Sequence, residues 1–347
     1  LLSGQHVLLL GVPGTAKSAL AVALQQGIDK ASMFRWLLTR FTPPEELLGP
    51  TSLKGLENAQ YRRVTSGKLP EAHVAFLDEI FKANSAILNA LLSILNERTF
   101  YNDGQPVQVP LLACIGASNE YPDGAELGAL YDRFLVRYWI EPIHDRDNLR
   151  AMLKAAEPGP VAADVRLDLQ EIEAARAEVR KVKLSADMLT MLLDVKDAAA
   201  RTGITCSDRR WRQASRYLRA VAWLAGRDEV IDDDFMSLAD CLWREHGERP
   251  AVLGTIGKIA NPALIACIEL YDAARDLFRE SARKPNEEGF QWTVRIGRSL
   301  QEVEKIVGRM EAIVVQNPGK QTLTDRLAST KATAKALRTE ALQQAGL

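Results

Sequence analysis

The chain has 347 residues, enough for two or three domains that each bury a core. Its 44 basic and 45 acidic residues leave a net charge of −1; that balance does not exclude nucleic acid but supplies no general basic field to attract it. It contains no run of about 18 apolar residues, so no segment is expected to span a membrane. The four cysteines, Cys114, Cys206, Cys241 and Cys267, form no CxxC pair and read as reduced, buried residues of a cytoplasmic compartment. His6, His73, His144 and His246 show no ligand spacing, and a structural zinc is not expected.

The chain opens at Leu1-Leu2, without a methionine or signal pattern, and its first strand comes almost at once, so it is expected to begin inside a longer protein. His6–Leu10 is an apolar run that reads as a buried strand ending in a glycine-rich turn, and Lys17–Gln25 carries a helical pattern. Val74–Leu77 and Leu111–Gly116 read as further strands, with Arg137–Ile140 as a candidate fourth. Between them Ser85–Asn96 is helical, with Ile87, Leu88, Leu91, Leu92 and Leu95 on one side. Strands alternating with helices predict an α/β fold with a parallel sheet covered on both faces.

After Pro142 the strand signals stop. Asp145–Ala156 reads as a helix, Glu157-Pro158-Gly159-Pro160 breaks it, and helices are expected over Leu169–Val182, Ser185–Ala200, Ser207–Ala225, Asp232–Glu245 and Asn261–Arg283. In the tail, Ile296, Leu300, Val303, Val307, Met310 and Val314 are spaced 4-3-4-3-4. After Asn317-Pro318-Gly319 the spacing repeats at Leu323, Leu327, Thr330, Ala334, Leu337 and Ala341. Two such seams predict an antiparallel helical hairpin over about 290–345, either packed on the body or projecting as a coiled coil.

Two motifs carry chemistry. Gly11-Val12-Pro13-Gly14-Thr15-Ala16-Lys17-Ser18 lies between a strand and a helix. Phosphates need inward-pointing backbone N–H groups, a helix N-terminus and a mobile cation. The candidate nucleotide contacts are therefore Gly11, Pro13, Gly14, Thr15, Ala16, Lys17, Ser18 and Ala19, with Lys17 for the β- and γ-phosphates and the Ser18 hydroxyl for Mg²⁺. Ala16 departs from the common pattern, which has glycine before the lysine. The strand Val74–Leu77 ends in Asp78-Glu79; Asp78 is the second candidate Mg²⁺ ligand and Glu79 the candidate group that polarises the attacking water. ATP and Mg²⁺ are the expected cofactors.

The order of these motifs resembles the AAA+ superfamily and, within it, the MoxR branch. Ala117-Ser118-Asn119-Glu120 looks like sensor 1, which implies that Asn119 orients the lytic water beside Glu79. Leu130-Tyr131-Asp132-Arg133-Phe134 looks like the arginine-finger segment, which implies that Arg133 reaches the γ-phosphate of a neighbouring subunit. Ser207-Asp208-Arg209-Arg210-Trp211 resembles sensor 2, with Arg209 as the matching position and Arg210 as the alternative. Thr42–Pro50, Thr65–Pro70 and Ile94–Arg98 are also MoxR-like, and Thr39-Arg40-Phe41 with Asp240–Trp243 looks closest to the RavA-type subgroup. The extra, partly β domain of that subgroup is not visible in the helical tail. The resemblance implies an AAA+ αβα sandwich over 1–156, a helical lid over 157–250 and a helical extension over 251–347.

Two loops are expected to face a ring's central pore: the insertion around Glu45–Arg63 and a hairpin over Arg98–Val109 with its turn at Asn102-Asp103-Gly104. The hairpin tip is neutral to acidic, with Arg62 and Arg63 the basic pair nearby, so a protein substrate is expected rather than nucleic acid. The first reading is a hexameric, chaperone-like remodelling motor with a von Willebrand factor A domain partner, as the resemblance implies. The alternatives are a nucleic-acid-dependent motor or defence component, and a slowly hydrolysing scaffold.

Overall fold

The first strand, β1 (His6–Leu10), is buried along almost its whole length, and the phosphate loop leads from it into α1 (Lys17–Gln26). The computed structural model describes residues 1–154, 166–280, 289–318 and 320–345 and falls into two compact units, Leu1–Val252 and Leu253–Leu347. In the first unit β2 (Ile28–Asp29) precedes β3 (Met33–Leu37), and β4 (Val74–Asp78) follows the insertion. That insertion carries two single-turn helices, α2 (Pro44–Leu48) and α3 (Leu53–Glu57). Then come α4 (Ser85–Glu97), the hairpin β5 (Thr99–Asn102) and β6 (Gln105–Gln108), β7 (Ala113–Ser118), α5 (Ala125–Arg133) and β8 (Phe134–Trp139).

The main sheet is five-stranded and parallel, in the order β3-β4-β7-β1-β8. Central strands of such a sheet are covered on both faces and therefore read as unbroken apolar runs. Every residue of β7 is buried, as are Val74–Leu77 of β4, and Leu9, Ala21, Phe76 and Ile115 pack together across strand and helix. The edge strand β3 is the one that sequence periodicity overlooks. Phe34 points into the core while Arg35 and Leu37 are exposed, so Met33–Leu37 alternates instead of forming a run. β7 and β8 lie two or three residues from their expected positions.

The hairpin turns at Asp103 (φ 55°) and Gly104 (φ 73°), the left-handed pair that a two-residue turn of type I′ requires. It does not stand alone. Asp103 Oδ1 accepts from the Tyr61 N–H (3.0 Å), Asn102 Oδ1 accepts from the Arg63 N–H (2.7 Å), and Thr51 bridges to Arg63. The two expected pore loops thus form one bonded assembly. Gly49 (φ 94°) is obligatory within it, since a Cβ there would meet Val64 O at 1.9 Å.

The rest of the first unit is helical apart from β9 (Leu167–Asp168), which pairs with β2. α6 (Arg146–Lys154), α7 (Leu169–Val179), α8 (Ala186–Arg201) and α9 (Asp208–Leu224) fall where helices were expected. Asp232–Glu245 does not form the expected α-helix. Asp232–Asp240 is a 3-10 helix, and the chain then turns through buried Cys241, Leu242 and Trp243. With Leu238 and Ala239 also buried, this stretch has too few outward-facing positions for an amphipathic helix. The expected breaker Glu157–Pro160, and residues 155–156 and 281–283 of two expected helices, lie outside the described residues, as does Gly319 of the tail turn.

α10 (Arg249–Ala260) crosses the division between the units. The second unit contains α11 (Pro262–Glu280), α12 (Gly289–Gln316) and α13 (Gln321–Ala345). The hairpin of α12 and α13 is present, but it is not two-stranded: α11 packs along both helices. Ile296, Val303 and Met310 of the first seam are buried with Leu323, Leu327 and Thr330 of the second, and Cys267 and Ala274 of α11 are also fully buried. Arg326 lies 5.0 Å over the Tyr271 ring.

Candidate active site

The phosphate loop leaves β1 at Gly11, whose φ is 144°; a Cβ there would meet Ile140 O at 2.2 Å, so only glycine fits beside the end of β8. Thr15 Oγ1 donates to Val12 O (2.9 Å) and closes the loop. Lys17, Ser18 and Ala19 then form the first turn of α1, where backbone N–H groups have no intrahelical acceptor and face the loop. Ala16 sits at φ 60°, a left-handed conformation, which explains why the common pattern has glycine there.

The Lys17 ammonium is buried and donates to Gly11 O (2.8 Å), Val12 O (2.9 Å) and Asn119 Oδ1 (2.9 Å). Burial pulls its pKa below the ordinary lysine value, against the opposing pull of Asp78 and Glu79. Ser18 Oγ donates to Asp78 Oδ2 at 3.1 Å. One step on, Glu79 occupies left-handed backbone (φ 53°, ψ 45°) at the end of β4, and its N–H donates to Asp78 Oδ1 (3.1 Å). Asn119 Nδ2 donates to Glu79 Oε1 at 2.7 Å.

Asn119 therefore joins the site into one network, its carbonyl towards the Lys17 ammonium and its amide towards the Glu79 carboxylate. Lys82 extends it: its ammonium lies 3.3 Å from Glu79 Oε2 and 4.0 Å from Glu120. Sequence reasoning missed Lys82; the available signal was its position three residues after Glu79, one turn along the short helix Ile80–Lys82. Among the described residues no cluster of three or more His, Cys, Asp or Glu side chains could cage a metal ion. The Ser18–Asp78 pair still fits Mg²⁺, which binds through one or two protein oxygens and takes its remaining ligands from phosphates and water.

Arg133 and Arg209 do not join this network. β1 and β8 run parallel, with His6 opposite Phe134 and Leu10 opposite Trp139. Arg133 precedes the start of β8, whereas the phosphate loop follows the end of β1. Five residues of strand separate them, roughly 16 Å at about 3.3 Å per residue. Arg133 Nη1 donates to Ala129 O (2.7 Å), and its buried Nε has no partner. Burial lowers its pKa, the nearby Arg209 guanidinium lowers it further, and Asp132 opposes both. The two arginines thus cluster at the end of the sheet away from Lys17.

The neighbouring arginines are structural. Arg210 is only 2% exposed and donates to Cys241 O (2.5 Å), Leu135 O (2.8 Å) and Phe134 O (2.9 Å), with Asp132 at 3.4 Å. It ties α9 to β8. Arg209 is exposed. Arg137, also buried, donates to Trp243 O and stacks 3.6 Å over the Tyr131 ring.

A five-stranded parallel sheet with a phosphate loop at its carboxyl edge and a helical lid is the fold of the AAA+ ATPases. Residues 1–181 match the family model described as the MoxR domain in the MoxR-vWA-beta-propeller ternary systems, and residues 187–256 match that of an AAA lid domain. The chain belongs to the MoxR family of AAA+ ATPases. Two proteins of Methanocaldococcus jannaschii, MJ0812 and MJ0079, are 40% and 38% identical to it over 262 residues, which is 75% of this chain and 69% and 68% of theirs. A crystal structure of a candidate ATPase from Cytophaga hutchinsonii superposes with a TM-score of 0.61 at 19% identity, covering 75% of this chain and 86% of that one; it supports the fold alone. Among the described residues no helix is long and apolar enough to cross a membrane.

Proposed function

We propose that this chain is the motor subunit of a ring, a hexamer in the simplest form, whose active sites lie between subunits and which remodels protein complexes. The observation that carries this reading is the parallel register of β1 and β8, which puts Arg133 before the start of β8 and Lys17 after the end of β1. An arginine side chain spans about 7 Å, so at roughly 16 Å Arg133 serves a nucleotide held by the next subunit. Arg209, beside it and exposed, joins the same trans site, while Arg210 is committed to backbone carbonyls.

Within one chain, first-turn N–H groups of α1 and the Lys17 ammonium hold the phosphates. Ser18 and Asp78 would hold Mg²⁺, which would supply charge neutralisation for the phosphates. Glu79 accepts a hydrogen bond from the attacking water and so polarises it, and Asn119 fixes the carboxylate's direction. Lys82 holds its second oxygen.

The exposed surface of the insertion and hairpin supports a protein substrate. Leu53 is 79% exposed and Tyr61 73%, with Leu56, Val64, Tyr101 and Val107 also outward. Arg63 is bonded to Glu45 Oε1 and Gly49 O, and Arg62 is exposed beside it. Apolar side chains grip polypeptide, whereas phosphate tracking needs lysine or arginine. The matching family's name supports a von Willebrand factor A domain protein and a β-propeller protein as partners. The RavA-type kinship rests on Thr39–Phe41 and Asp240–Trp243, and the cytoplasmic assignment on cysteine usage.

The test is a subunit-mixing assay. Glu79→Gln and Arg133→Ala protomers are each expected to be nearly inactive, and a mixture is expected to recover ATPase activity at sites that pair an intact Glu79 with an intact Arg133. No recovery on mixing, or full activity of Arg133→Ala alone, refutes the shared site.

A further inference from the structure

The end of the sheet away from the phosphate loop opens into a cavity of about 650 Å³ that the ATPase reading does not use. Its walls come from the N-terminal turn leading into β1, the C-terminus of α4, and the lid helices α7 and α9. Arg98, Arg176, Arg180, Arg212, Arg216 and Arg219 line it, and no Asp or Glu does. Helical spacing accounts for the convergence: Arg212, Arg216 and Arg219 form one stripe along α9, and Arg176 on α7 stands one turn before Arg180 at that helix's C-cap.

Among the described residues the carboxylate that acts on these charges is Glu173, which opposes the lowering of the Arg176 pKa. Among the described residues none of the six forms an ion pair with a carboxylate. Arg98 is held by backbone and by a ring nitrogen instead, donating to Leu95 O and to Gly4 O (2.9 Å) with its Nη1 2.6 Å from His6 Nε2, and Arg219 donates to Arg180 O (3.1 Å). Burial brings the Arg98 pKa down to about 10, and Arg176 adds to that effect. Arg176 is itself lowered by burial and then by Arg180. Like charges gathered in a concave, partly desolvated wall focus a positive potential that an anion relieves.

The lining also limits what that anion is. It contains no Phe, Tyr or Trp, so it offers no platform for stacking bases. Planar guanidinium groups match phosphate oxygens two at a time. A cavity of this volume falls in the range of about 300–1,000 Å³ typical of small-molecule sites, rather than that of a groove for a polymer.

The geometry points to a second anion site, for a compact polyphosphate carrying two or more phosphate groups, that pins the lid helices α7 and α9 to the N-terminal turn. It is independent of the phosphate loop. Inorganic and nucleoside polyphosphates share the recognised chemistry.

The test uses the full chain carrying Lys17→Ala, titrated with inorganic tripolyphosphate in metal-free, low-salt buffer by calorimetry. One saturable site per chain is expected, weakened at least tenfold by Arg212→Gln with Arg216→Gln and only partly restored by lysine at both positions, which returns the charge without the planar fork. Both arginines are exposed, so the double variant is expected to melt at an unchanged temperature. In the chain with Lys17 intact, tripolyphosphate is expected to fill two sites, falling to one in the double variant. A parallel titration with GTP identifies the source: equal affinity means the phosphate chain alone is read, tighter GTP a nucleoside polyphosphate. Tripolyphosphate binding that survives the double substitution undiminished, or that disappears with Lys17→Ala, overturns the site. Tighter binding of single-stranded DNA or of a polyglutamate peptide than of tripolyphosphate overturns the compact ligand.

Discussion

Two residues of the candidate site hold left-handed backbone that glycine occupies freely and other residues do not. At Ala16 (φ 60°) the methyl group costs about 1–2 kcal/mol without touching the site's network. Ala16→Gly removes that strain and gives back about 0.4–1 kcal/mol through the more flexible unfolded chain. The expected net gain is about 0.5–1 kcal/mol, read as a higher urea midpoint with nucleotide affinity unchanged. At Glu79 (φ 53°) the strained turn has a use, because it aims the carboxylate at Asn119 instead of along the strand. Glu79→Gln keeps an oxygen for the Asn119 amide but loses the charge. Turnover is expected to fall about 10²–10⁴-fold with ATP binding nearly unchanged, measured by phosphate release beside equilibrium binding. The two loop ends and their residue types were legible in the sequence. Lys82 was not, since an isolated lysine after an apolar strand looks like solvated surface until its ammonium is found beside Glu79.

Adjacent arginines at the start of α9 have opposite fates, and the helix decides which is which. A residue turns by about 100° from the one before it, so Arg209 faces outward when Arg210 faces β8. Arg210→Met leaves the carbonyls of Cys241, Phe134 and Leu135 without their donor, and is expected to cost about 3–5 kcal/mol in urea unfolding. Arg209→Ala is expected to change stability by no more than about 0.5 kcal/mol while lowering ATPase activity. The pattern of the sequence showed a helix here and left the two arginines as alternatives. Edge strand β3 and the 3-10 helix Asp232–Asp240 were misread for a related reason. Periodicity reports how many faces are buried: β3 buries one face where a central strand buries two, and Asp232–Asp240 buries too much for a one-faced α-helix.

For the whole molecule, parallel pairing separates what the chain keeps from what it offers. Lys17, Asp78, Glu79 and Asn119 follow the carboxyl ends of β1, β4 and β7, while Arg133 precedes the amino end of β8. In the proposed ring the two ends would come together. ATP is therefore expected to convert Glu79→Gln protomers from small to large species in mass photometry, and Arg133→Ala with Arg209→Ala is expected to weaken that conversion. In the second unit, α11 against the α12–α13 hairpin gives a three-helix body whose buried Thr330 donates back to Arg326 O (3.0 Å).

The sequence by itself determined the glycine-rich loop between strand and helix, the acidic strand end and the α/β class, because glycines, a lysine and carboxylates at strand ends are local chemistry at short range. Only the tertiary structure decided that Asn119 bridges Lys17 to Glu79, that Arg210 is tied down and Arg209 exposed, and that six arginines share one cavity. Those facts depend on pairing register and helix rotation, which join residues as distant as Lys17 and Asn119, 102 positions apart.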